Sequence, residues 1–186
     1  MERGTSGFWG DAVLPLPLLL ALGVGGFFAL LWRSESAADQ VDLDMNLSRN
    51  FTLRELVRSN TATVRGIDNT PSLEAVRALE LLAKRTLQPL RDAIGAPLNV
   101  SSGYRSAELN AAVSGASKSQ HMKGQAADVT AAGLSSLELL QVVQAAGIPY
   151  DQAITYDDLP HLHLSYTETP RRQVLRRVGG EYQEID

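Results

Sequence analysis

From residue 47 onward, apolar side chains recur at two spacings, near 3.6 residues and near 2, and each spacing predicts its own kind of element. Thr52 is placed to cap a short helix carrying Leu53, Leu56 and Val57, with Glu55 at the capping-box position. Asn69-Thr70-Pro71 is a second helix start, with Thr70 as cap and Pro71 in the first turn. Leu73, Val76, Leu79, Leu82, Leu90 and Ile94 follow at helical spacing, so this helix buries one face, and Pro89 is expected to kink or divide it. Ala96-Pro97 opens a strand at 98–101 that delivers Gly103-Tyr104-Arg105 to a loop, and Ser106 caps a short helix over 107–113. A Gly/Ser/Lys loop at 114–120 runs into His121, and 126–130 has the pattern of a strand. Ser135 or Ser136 caps a helix over 137–146 that stops at Gly147. Strands at 152–155 and 162–166 are joined by the turn Asp157-Asp158-Leu159-Pro160. These elements predict a small α+β domain over 46–174, an antiparallel-rich sheet with helices against one face, followed by an exposed tail of mixed charge at 175–186.

The first 45 residues follow another pattern. Behind an N-terminal flank at 1–11, residues 12–32 are uncharged throughout, long enough for a transmembrane helix. Trp9 and Trp32 stand where interfacial aromatics belong, and Arg33 ends the run. The alternative is a secretory signal cleaved near Ser36-Ala37-Ala38, but the apolar stretch exceeds a signal core of ~7–15 residues. Residues 33–45 are polar and acidic and have the composition of a tether.

Composition narrows the chemistry. A chain of 186 residues leaves room for one domain beyond this leader. The net charge of −4 gives no basic surface for nucleic acid. With no cysteine in the chain, a metal has only histidine and carboxylate to bind. All three histidines fall in two places: His121, seven residues before Asp128, and the pair His161 and His163. Core filler would not usually group this way. The grouping points to a metal site with His121, Asp128 and one of the later pair as ligands. Two histidines, a carboxylate and a water form the open coordination of a catalytic zinc.

SGYRS at 102–106, SQHMKGQAAD at 119–128 and HLHLSY at 161–166 resemble the zinc D-alanyl-D-alanine peptidases, a group that includes cell-wall carboxypeptidases and phage endolysins. The likeness runs from about Leu47 to Val174. It implies Zn2+ as cofactor, held by His121, Asp128 and His163, and hydrolysis of peptidoglycan stem peptides at or near D-alanine bonds, as carboxypeptidase or endopeptidase. It implies substrate contacts from Tyr104, Arg105, Ser119 and Gln120, with the Arg105 guanidinium on a carboxylate or the polarised carbonyl. Such a substrate would place the domain on the periplasmic side of the inner membrane, anchored by a single span. The chain departs from the family pattern at one point. Many relatives carry the catalytic carboxylate three residues before the last zinc histidine, and here that residue is Pro160. Asp157, with Asp158 beside it, is then the expected base, and His161 is expected to stabilise developing charge. The signalling domain of hedgehog proteins shares this zinc arrangement yet only binds, so a non-catalytic peptidoglycan- or partner-binding module is the alternative.

Overall fold

The computed structural model describes residues 41–185. The expected membrane segment 12–32 and most of the tether therefore lie outside the described residues. Among the described residues, no helix is long and apolar enough to cross a membrane. The last tether residues are docked on the domain: Val41, Leu43 and Met45 pack against the core, and Asp44 accepts two hydrogen bonds from the Arg54 guanidinium.

Strands β1 (Asn46–Ser48) and β2 (Phe51–Thr52) form a small antiparallel pair that seats Leu47 and Phe51 in the core. Helix α1 (Leu53–Val57) follows, its start capped by the Thr52 hydroxyl, which accepts from the Glu55 amide. Helix α2 (Asn60–Arg65) was not legible in the sequence, because Ala62 is its one buried residue and it has no apolar stripe. Helix α3 (Leu73–Leu82) begins two residues later than its pattern suggested. Ser72 is the cap, and the Thr70 amide instead donates to the Asp68 carboxylate, an Asx turn that ends the preceding loop. Leu73 is consequently a first-turn residue and 59% exposed.

The α-helical run is divided just before Pro89, but the helical path continues. A π-helical turn over Ala83–Leu87 joins α3 to α4 (Gln88–Ile94), and Pro89 sits in the first turn of α4. The wider turn carries the Gln88 amide back to the Ala83 carbonyl, so the chain passes the missing proline N–H without a break.

The main sheet has six strands in the order β3 (Leu98–Ser102), β4 (Ala126–Ala131), β6 (Leu162–Ser165), β5 (Gln152–Tyr156), β7 (Gln173–Val178) and β8 (Glu181–Glu184). All pairs are antiparallel except β5 with β7. Strands β7 and β8 occupy what the sequence suggested was a domain end and free tail. The alternation there is weak because β8 is exposed along its whole length.

Side chains alternate across this sheet, so each face has its own job. Ala127, Leu164, Ala153 and Val174 form one cross-strand row on the inner face. That row joins a core with Leu79, Leu82 and Leu90 and with Leu139 and Val143 of α6 (Ser136–Ala145). Ser135 caps α6, its hydroxyl accepting from the Glu138 amide while the Glu138 carboxylate accepts from the Ser135 amide. The next row, Asp128, His163, Ile154 and Leu175, lies on the opposite face. The sheet turns its core side to the helices and its functional side outward.

Candidate metal centre and cleft

Asp128 and His163 are direct register partners on β4 and β6, the closest side-chain neighbours an antiparallel pair provides. His121 comes from a 3-10 turn, Gln120–Lys123, between α5 (Ala107–Ala112) and β4. The Ser119 hydroxyl caps this turn, and Gly124 closes it at φ 69°, where a side chain would also collide with the Ala75 carbonyl. The three residues are buried, and their donor atoms converge. His163 Nδ1 lies 2.9 Å from Asp128 Oδ1. His121 Nε2 lies 3.2 Å from His163 Nδ1 and 3.3 Å from Asp128 Oδ1.

The tautomer of His121 is set by a neighbour. Its Nδ1 is 2.7 Å from the Gly103 carbonyl, which can only accept, so Nδ1 carries the proton and Nε2 is left as a ligand atom. Gly103 must be glycine for this. A Cβ there would collide with the Leu56 carbonyl oxygen, so the loop reaches His121 only without a side chain. The β3 register shift between Val100 and Ser102 is what sends the loop inward, with Ser101 as the extra residue.

The donor set fits a metal ion. A tetrahedral ion with bonds of about 2.0–2.1 Å separates its ligand atoms by about 3.3 Å, close to the three spacings found. Two nitrogens and one carboxylate oxygen are also the ligand chemistry zinc takes in open, catalytic sites. Burial alone would raise the Asp128 carboxyl, but His121 and His163 outweigh it and hold it well below the usual carboxylate range. Burial lowers the imidazole of His163. A carboxylate and neutral imidazoles are the states a metal requires. Among the described residues, these three are the group able to hold one.

Around them lies a cleft of about 540 Å³ on the outer sheet face. Arg105 enters it from the loop after β3, donating from Nη2 to Asp128 Oδ2 at 2.8 Å and from Nε to the Ser102 hydroxyl at 2.9 Å. Ser119 and Gln120 line the cleft as expected from the sequence. Tyr104 instead lines an adjoining pocket of about 420 Å³, shared with Arg58 and Ser102.

The expected base is elsewhere. Asp157 was expected to reach back over the metal, but its carboxylate accepts two hydrogen bonds from the Arg176 guanidinium at 2.8 and 3.1 Å. Neither Asp157 nor Asp158 is among the cleft-lining residues, and Asp128 is the one acid that is. The parallel pairing of β7 with β5 brings Arg176 alongside, and the sequence gives no sign of that pairing. His161 stays close. Its ring packs on Tyr156, a cleft residue, with centroids 4.7 Å apart, and burial lowers its imidazole.

Two supports were missed in the sequence. Asn69 ties three loop segments together, donating to the Val57 and Tyr104 carbonyls and accepting from the Ser106 amide. Asp151, with a side chain 3% exposed, accepts from Arg171 through its amide and guanidinium and from Gln120 Nε2 at 2.9 Å. Asp151 sits in a stretch with no motif and Asn69 reads only as part of a helix start, and long-range pairing gives both their partners.

Asp151 carries a prediction. Burial pushes its carboxyl up, but the Arg171 and Gln120 hydrogen bonds win and bring it down to about 2. The unfolded value is about 3.9, so the contribution is fully present above pH ~4 and is lost as pH falls through about 2. Asp151→Asn is expected to lower the unfolding free energy by about 2 kcal/mol at pH 7. The gap from wild type should close between pH 4 and pH 2, as read by denaturant unfolding across that range.

Comparison with known proteins matches this geometry. A family model described as Peptidase M15 covers residues 49–165, a range that contains all three candidate ligands. A zinc D-Ala-D-Ala carboxypeptidase of Streptomyces albus G is 38% identical over 99 residues, 53% of this chain. The aligned stretch spans 38% of that relative's length. With a family match over most of the chain and a His-Asp-His centre on its sheet, the chain belongs to the peptidase M15 family.

Proposed function

We propose that this protein is a zinc-dependent peptidase that hydrolyses peptidoglycan stem peptides at or next to D-alanine. The observation carrying this reading is the convergence of His121 Nε2, Asp128 Oδ1 and His163 Nδ1 at the floor of an open cleft. The Streptomyces albus G relative, a zinc D-Ala-D-Ala carboxypeptidase, supports the substrate class. Zinc, when bound, supplies a Lewis acid and lowers the pKa of its water towards ~7. The chain's own residues do the rest. Arg105, anchored on Asp128 and Ser102, presents a fixed positive charge for a substrate carboxylate or carbonyl. Gln120 is held in place by Asp151, so its amide oxygen remains to accept a peptide N–H. His161, beside Tyr156 at the cleft, is the proton carrier in this reading, because Asp157 is engaged by Arg176. Residues 12–32 hold the chain in the inner membrane with the domain on the periplasmic side, which puts the cleft where this substrate is.

One observation favours a second reading. Asp128 is the one acid lining the cleft, and it is a metal ligand, so a zinc-containing module that binds the same peptides without cutting them is the alternative. Mass analysis of peptidoglycan digested with the full chain separates the two. Loss of a terminal D-alanine marks a carboxypeptidase, cut cross-links mark an endopeptidase, and unchanged peptides that co-sediment with protein mark the binding module.

A further inference from the structure

The family match ends at residue 165, yet the cleft does not. Its outer wall is the hairpin β7–β8, which contributes Leu175, Arg177 and Tyr182, and Arg171 stands just before it. Tyr156, Arg177 and Tyr182 form one cross-strand row, two residues along from the row that holds His163, Ile154 and Leu175. Strands are about 4.8 Å apart and residues rise about 3.3 Å, so the Arg177 backbone lies about 12 Å from that of His163. That is the span of three to four extended peptide residues.

The charge of the cleft lining is one-sided. Four basic residues line the cleft, Arg105, Lys118, Arg171 and Arg177, against the single acid Asp128. Arg105 and Arg171 already hold Asp128 and Asp151. Arg177 makes no ion pair among the described residues; its guanidinium lies 5.9 Å over the ring of Tyr182, which is itself 56% exposed. A partly buried guanidinium braced on an aromatic face, with its fork unspent, is a receptor for a carboxylate.

We infer that the β7–β8 hairpin is a specificity wall, on which Arg177 binds a side-chain carboxylate of the substrate peptide about three residues before the cleaved bond. The inference rests on the peptidase reading for the direction of the peptide, since a chain ending in D-alanine extends away from the metal only on its N-terminal side. The occupant is an acidic peptide rather than an apolar one, because the cleft lining as a whole carries four basic residues against one acid.

The test is a binding measurement that needs no turnover. Two analogues of N-acetyl-X-Ala-D-Ala-D-Ala are titrated calorimetrically into the zinc-loaded full chain. X is Glu in one and Gln in the other, and the last amide is replaced by a non-cleavable ketomethylene link. Wild type is expected to bind the Glu analogue about tenfold more tightly, and that preference should shrink at high salt as screening grows. Arg177→Gln should bring the ratio to near one, and Arg177→Lys should keep part of the preference. The inference is overturned by equal binding in wild type, by a preference insensitive to salt, or by one that survives Arg177→Gln, with Lys118→Gln showing whether Lys118 carries it instead. The cleavable parent peptide separates the two claims. An Arg177-dependent preference without cutting sinks the peptidase reading alone; cutting without the preference sinks this inference alone.

Discussion

His163→Ala is expected to remove zinc from the protein and abolish hydrolysis, whereas His161→Ala should keep one zinc per chain. The two residues are two positions apart, yet the structure treats them differently. His163 stands opposite Asp128 in the sheet, is 7% exposed, and directs Nδ1 into the cluster formed with His121 Nε2. His161 precedes the strand and packs on Tyr156 instead. Removing one of three protein ligands leaves two, fewer than catalytic zinc sites use. Asp128→Ala should behave like His163→Ala and also free Arg105, whose Nη2 it holds. Metal analysis after gel filtration reads both outcomes. Equal zinc loss from His161→Ala and His163→Ala would show that the ligand set is wrong.

The second large effect is expected at His161 and not at Asp157. General acid–base residues contribute about 10²–10⁴-fold, so His161→Ala should slow hydrolysis by that order with zinc still bound. Asp157→Asn should cost little. It breaks an exposed ion pair with Arg176, a type of contact worth about 0–1 kcal/mol. Steady-state hydrolysis of a D-alanyl peptide by the two variants checks the order. A large loss from Asp157→Asn with full activity in His161→Ala would return the proton to the carboxylate, and would mean that the Arg176 pair opens when substrate binds.

The candidate metal ligands and most of the elements were legible because they are written locally. The SQHMKGQAAD run carries both a ligand and the small residues that let the backbone approach, and Ser106 and Ser135 announce their helices by side-chain chemistry. What was not legible is written non-locally. Asp157 looks like a base from its distance to His163 in sequence, but its partner Arg176 arrives on β7 through a parallel pairing that leaves no local trace. The same pairing turns the supposed tail into a cleft wall. Thr70 lost the cap to Ser72 because both hydroxyls suit a helix start, and only Asp68, which binds the Thr70 amide, decides between them. Pro89 was expected to kink or divide a helix, and the π turn that separates the two α-helical segments just before it could not be read from the sequence.

Reversible dependence of peptide cutting on bound zinc tests the central claim most directly. The full chain is stripped by chelator, reloaded, and assayed at each stage for zinc content and for D-alanine released from an acyl-D-Ala-D-Ala peptide. Zinc-dependent peptidase chemistry at the His121–Asp128–His163 centre predicts one zinc per chain, activity lost with the metal and restored with it, and neither in His163→Ala. Undiminished cutting by metal-free protein, or full zinc loading with no cutting of any stem peptide, would contradict it.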